Sequence, residues 1–191
     1  MNKTLDGSHV RLAPLSLSHH ERLCKIGLDA ELWKFTTIRV ETESEMFEYI
    51  QHALNLQAAG TGQPYVIIEK SSGDVIGTTR YHSIDLEHRR LEIGFTWIAR
   101  EWQRTVVNTE IKYLMLKHAF EERHFIRVQF KADASNEKSQ RALIRIGARC
   151  EGILRSFVIS KDRGPRDLAV FSLLASDWPE TRERLERLLR H

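Results

Sequence analysis

The residues best suited to chemistry cluster in Glu92-Ile93-Gly94-Phe95-Thr96-Trp97-Ile98 and in the segment after it, Arg100-Glu101-Trp102-Gln103-Arg104-Thr105-Val106-Val107-Asn108-Thr109-Glu110. The first part reads as a strand and the second opens a helix, so only a short polar loop joins them. A helix start presents unpaired N–H groups and the positive end of the helix dipole, which suits a phosphate. Arg104 and Arg100 add formal charge there. The same residues also read as a solvated arginine and an N-capping Thr105, and this stretch alone leaves both open. Glu92 could take a proton, or could equally be an outward strand residue paired with Arg80 or Arg90 across the meander. Asn136 can cap the backbone of Ser139 three residues on. The nine histidines show no ligand spacing and no companion cysteines or clustered carboxylates, so no metal is expected. His82 stays a candidate base because imidazoles titrate in the working range.

The surrounding elements must hold these residues. Alternation predicts a short strand at residues 9–13, closed by Pro14. Ser18 with Glu21 has the form of a capping box opening a first helix, with Leu23, Cys24 and Ile26 as its apolar stripe; Thr42 with Glu45 opens a second. The second helix turns Met46, Phe47, Ile50, Ala53 and Leu54 inward and ends near Gly60, and residues 33–40 before it form a loop with exposed aromatics. Residues 65–68, 75–84 and 91–98 read as an antiparallel meander. A helix at 106–122, a strand at 126–132, a helix at 136–146 stopped by Gly147, strands at 152–159 and 166–174 and a helix at 179–189 complete the order. The result is an α+β fold with a mixed central sheet of about seven strands, flanked by helices, with an extra C-terminal helix.

A length of 191 residues with no repeat or linker fits one domain. The composition, 41% hydrophobic and 29% charged, is that of a soluble globular protein. A net charge of +3 is too small for a protein living on nucleic acid, and no apolar run or signal pattern points to a membrane. Cys24 and Cys150 form neither a metal pair nor a disulfide scaffold, which suits a reducing, cytoplasmic setting.

Three places carry a resemblance to the GNAT superfamily of acetyl-CoA-dependent N-acetyltransferases, in particular the ribosomal-protein N-terminal (Rim-type) branch: Gln103 at the first position of the pyrophosphate loop; Ala134-Ser135-Asn136-Glu137-Lys138-Ser139-Gln140-Arg141-Ala142-Leu143 with Ile146-Gly147-Ala148; and Asn108-Thr109-Glu110-Ile111-Lys112-Tyr113. The resemblance covers nearly the whole chain. One departure stands out: Val106 and Asn108 occupy loop positions where the family has glycine or alanine. Their Cβ atoms would have to turn into the helix while the donors face outward.

The resemblance implies acetyl-CoA as cosubstrate, bound by Trp97, Ile98, Gln103, Arg104, Thr105, Val106, Val107, Asn108, Asn136, Ser139 and Arg141, with Lys138 near the 3′-phosphate. Pantetheine would lie like an added strand where residues 95–98 splay from their neighbour at a bulge eased by Gly94. Glu92 would take the amine's proton directly or through water, and Ser139 would protonate or hold the leaving thiolate, in a direct attack within a ternary complex. The acceptor, a protein N-terminus or a small amine, would meet Trp33, Phe35, Tyr81, His82 and Phe157, with loops 33–40 and 161–165 setting selectivity. The alternative is a non-catalytic acyl-CoA-binding or regulatory module. The last helix packs either on its own sheet or on a second copy in a homodimer.

Overall fold

A computed structural model describes residues 3–160 and 163–190. Eight strands form one sheet in the order β1-β2-β3-β4-β5-β6-β8-β7. They are β1 (Leu5–Asp6), β2 (Val10–Pro14), β3 (Gln63–Glu69), β4 (Val75–Asp85), β5 (Arg90–Ile98), β6 (Arg127–Asp133), β7 (Arg149–Ser160) and β8 (Gly164–Leu174). All neighbours are antiparallel except β5 and β6. The expected meander is β3-β4-β5. The strand beyond the seven expected is β1, two residues too short to show a period; its hairpin with β2 is held from outside by Glu110, whose carboxylate accepts the N–H groups of Ser8, His9 and Val10 at 2.7–2.8 Å.

Helices α1 (His20–Gly27) and α2 (Glu43–Ala58) cover one face, and α3 (Val107–Lys117), α4 (Glu137–Arg145) and α5 (Trp178–Leu189) lie with the core of the other. The Thr42–Glu45 capping box is present, with Glu45 N–H donating to Thr42 Oγ1 at 3.2 Å and Thr42 N–H to Glu45 Oε2 at 3.0 Å. The entry to α1 differs from the expected one. A 3-10 turn, Leu17–His19, precedes it, and Ser16 N–H donates to His19 Nδ1 at 3.1 Å, so the local cap uses Ser16 and His19 rather than Ser18 and Glu21. In α2, Tyr49 points inward and Phe47 is exposed, because the helix meets the sheet along Met46, Tyr49, Ile50 and Ala53. The third helix is regular only to Lys117 and widens into a π turn over His118–Glu122. α5 packs on its own sheet, burying Trp178, Thr181 and Leu185. Of the expected loop 161–165, residues 161 and 162 lie outside the described residues.

Two cores result. The α3 side gathers Leu12, Tyr65, Tyr81, Ile111, Phe130 and Leu185; the α1–α2 side gathers Leu23, Trp33, Met46, Tyr49, Ile50 and Trp97. The side chains of β4 alternate between them: Thr79 and Tyr81 face α3, while Thr78 and Arg80 face Tyr49 of α2.

Candidate functional site

Strands β5 and β6 stay paired through three positions only, Arg90 with Arg127, Leu91 with Val128 and Glu92 with Gln129, and then diverge. Parallel strands leave their ladder groups free where they part, and in open sheets the crevice beyond the carboxyl ends of such strands is where ligands bind. A bulge lies on β5 beside the split. Thr78 pairs with Trp97 and Arg80 with Gly94, so Phe95 and Thr96 together oppose Thr79. Phe95 carries the strain of the bulge, with φ +50°, rather than the neighbouring glycine. Gly94 serves a different need: a Cβ there would stand 2.6 Å from His82 Nε2.

The N-termini of α3 and α4 follow the C-terminal ends of β5 and β6 and flank the split. At α3, Val107 N–H donates to Thr105 Oγ1 (3.3 Å) and Glu110 N–H to Val106 O (3.0 Å), while the N–H groups of Asn108 and Thr109 between them have no acceptor among the described residues and are left for an outside one. Val107 is buried, so its side chain is turned into the core. Arg104 is exposed at φ +65° and makes no ion pair among the described residues. Gln103 donates to Ile98 O (2.9 Å) and accepts from Lys138 Nζ (2.8 Å), which ties the loop before α3 to the first turn of α4. At α4, Asn136 Oδ1 accepts the Ser139 N–H at 3.1 Å. The half-buried Ser139 hydroxyl has no bond to any described residue, and a cavity of about 370 Å³ at the turn before α4 is lined by Asp133, Ser135 and Arg166. These donors fit a pyrophosphate-bearing ligand. Arg141 does not join them, since it is exposed and paired with Glu137 of its own helix at 2.8 Å.

On the α2 side of the split, Glu92 is buried among His82 (3.4 Å), Lys131 (2.9 Å) and Gln129 (3.2 Å). Burial pushes its pKa up, but the hydrogen bonds and charges of His82 and Lys131 outweigh that and bring it down to about 2. A carboxylate so held is a weak proton acceptor. The His82 ring packs edge-on against Phe95, with centroids 5.0 Å apart, and its Nδ1 lies 3.1 Å from Ser83 Oγ. Lys131 stands over Phe157, and Arg163 over Phe35.

The expected acceptor residues thus divide. His82 lies at the bulge, Phe157 lies across from it beside Lys131, and Phe35 contacts Arg163. Trp33 is buried on a 3-10 turn, Ala30–Trp33, with its indole N–H on Gly27 O (2.7 Å) and its ring against Trp97. Tyr81 is on the opposite face, its hydroxyl on Met115 O at 2.6 Å. The Trp97 side chain belongs to the core, so only its backbone remains on the strand. Two residues that sequence reasoning left without a role are close by, Tyr49, whose hydroxyl reaches Thr78 Oγ1 (2.9 Å), and Lys131; Arg80 is there too, but neither it nor Arg90 pairs with Glu92, which takes Lys131 and His82 instead, while Arg90 takes Asp85. Arg80 had a signal of its own, a charge at a core-facing position of a strand that is otherwise apolar or hydroxylated.

The pattern of the acetyltransferase (GNAT) domain matches residues 9–149. Over 177 residues the chain is 28% identical to an uncharacterized N-acetyltransferase, p20, of Bacillus licheniformis, covering 92% of this chain and 98% of the relative. A GCN5-related N-acetyltransferase from Brucella melitensis superposes with a TM-score of 0.90 at 27% identity, covering 99% of this chain and 86% of that one. The ribosomal-protein-S5-alanine acetyltransferase of Vibrio fischeri shares the fold, with a TM-score of 0.76 at 16% identity over 92% of this chain and 98% of that one. With the family pattern spanning most of its length and a split sheet flanked by two helix starts at its centre, this chain belongs to the GNAT acetyltransferase family and is an N-acetyltransferase.

Proposed function

We propose that this single-domain protein moves an acetyl group from acetyl-CoA to a primary amine by direct attack in a ternary complex. The observation that carries the reading is the split between β5 and β6, with a bulge on one wall and two helix N-termini at its open end. Acetyl-CoA supplies the activated thioester. The free N–H groups of Asn108 and Thr109, with Arg104, would hold its pyrophosphate; Ile98 and Trp97 would border the pantetheine along the strand. The partners are acetyl-CoA and the amine, in the cytoplasm, with neither nucleic acid nor membrane.

His82 fits the part of base better than Glu92. Glu92, held ionised by Lys131, faces Nε2 and keeps its hydrogen there, so that Nδ1 is the atom that accepts the amine's proton. Glu92 is then a positioning residue, as the aspartate is in a serine–histidine–aspartate triad. Ser139 holds a proton at an otherwise unengaged hydroxyl for the leaving thiolate.

The test is release of free coenzyme A from acetyl-CoA with a panel of amines, beside calorimetry of acetyl-CoA binding. The expected outcome is thiol release that falls about 10²–10⁴-fold in His82→Ala and less in Ser139→Ala. Binding without release for any amine would instead favour a non-catalytic acyl-CoA-binding module. Full turnover in His82→Ala would remove the imidazole from the mechanism.

A further inference from the structure

Arg80 is 1% exposed, and neither Nη1 nor Nη2 has a hydrogen-bond partner among the described residues. Its guanidinium carbon stands over the Phe95 ring, 3.5 Å from the centroid, and 5.3 Å from that of Tyr49, whose hydroxyl is a polar neighbour but carries no charge to offset the cation. The cations nearest to it on the neighbouring strands have carboxylates: Lys131 has Glu92 at 2.9 Å, and Arg163 and Arg166 share Asp133 at 3.7 and 2.7 Å. Glu92 and Asp133 are therefore committed, and Arg80 is left over. Burial pulls its pKa below the ordinary arginine value, but a guanidinium does not give up its proton in a protein, so the charge stays. An uncompensated buried charge is costly, and its retention calls for an anion.

The position indicates which anion. Arg80 pairs with Gly94 across the ladder, beside the bulge, and two residues along the same face comes His82. Alternate residues on one face of a strand stand about 6.5–7 Å apart. A small amine set between His82 and the bulge would therefore bring a carboxylate two or three bonds away to the guanidinium, once the half-buried Phe95 ring moves off it. We propose that Arg80 is the specificity residue of the acceptor site and that the acceptor carries a carboxylate close to its amine, as a free amino acid does. This rests on the acetyltransfer reading above and narrows its amine.

The test compares L-methionine and L-glutamate with their α-carboxamides, and adds peptide amides beginning with glutamate or serine, following coenzyme A release in the wild type, Arg80→Met and Arg80→Lys. The expected result is a kcat/KM ratio of free acid over carboxamide on the order of 10² in the wild type, the effect of leaving one member of a buried charged pair alone. That ratio should collapse toward one in Arg80→Met and recover partly in Arg80→Lys. If the glutamate peptide is the sole good substrate, the carboxylate comes from a side chain and the free-amino-acid source is wrong. Equal use of acid and carboxamide by the wild type, or a ratio that survives Arg80→Met, overturns the proposal while leaving acetyl transfer intact. Thermal shift without acetyl-CoA gives a second readout: the free acids, not the carboxamides, should raise the wild-type Tm, and neither should raise that of Arg80→Met. Absence of thiol release with every amine would defeat the catalytic reading and leave this binding difference to judge Arg80 separately.

Discussion

The two faces of the β4–β5 pair each bury a cation, and they treat it differently. On the α3 face, Lys112 is buried but donates to Thr96 Oγ1 at 3.1 Å, and burial lowers its pKa to about 8, so it can lose its charge in a mildly basic solution. Two residues earlier on the same helix Glu110, also buried, is satisfied by three backbone donors of the β1–β2 hairpin. On the α2 face, Arg80 has no carboxylate beside it among the described residues, only the neutral Tyr49 hydroxyl, and it has no chemical means to become neutral. The difference separates charge that serves the fold from charge whose partner is missing. The α3 face closes on itself; the α2 face is complete only with something from outside.

Removing Glu110 should break the closed face most severely. Glu110→Ala leaves the Ser8, His9 and Val10 N–H groups without their acceptor and should cost about 3–5 kcal/mol, read as a lower urea midpoint, with Glu110→Gln intermediate. Next is the paired carboxylate on the open face. Glu92 has a folded pKa of about 2, below its unfolded value near 4.3, so the folded state binds fewer protons in that window. Its contribution, roughly 3 kcal/mol, is complete above the unfolded value and is lost as pH falls toward 2. Glu92→Gln should lack that acid limb in urea melts taken from pH 5 to 2.

The comparison itself is sharpened by replacing each cation with methionine. Both Lys112→Met and Arg80→Met should raise stability by about 1–3 kcal/mol at neutral pH, since each removes a buried charge. Only the lysine gain should depend on pH. Lys112 is lowered in the folded state, so between about 8 and its unfolded value near 10.4 unfolding takes up a proton, and wild-type stability rises with pH. The advantage of Lys112→Met should shrink across that window and that of Arg80→Met should not. Equal pH profiles would show that the two faces do not differ as argued.

Much of this was legible in local chemistry. The Thr42–Glu45 box, Asn136 as the cap of α4, the stop at Gly147 and the meander of β3, β4 and β5 depend on residues within a few positions of one another. So did the position of the helix start after Thr105. The misjudged elements depend on distant partners. Trp33 looks like an exposed loop aromatic until Trp97 and Tyr49 close over it, and β1 exists because Glu110 holds its hairpin from a helix a hundred residues away. Tyr81 and His82 are neighbours in sequence, yet the period-2 pleat sends one into the α3 core and the other to the bulge. Glu92 was legible as a reactive group; its commitment to Lys131 was not, because that residue arrives on β6.

By itself the sequence determined the order of elements, the helix caps, the family and the strand-loop-helix that offers free N–H groups, because these follow from residue type and short spacing. Tertiary structure decided which charges are satisfied. Lys112, Glu92 and Glu110 find partners on other elements, Arg80 finds no carboxylate among the described residues, and whether a buried charge has a counterpart depends on what the fold brings within a few ångströms of it.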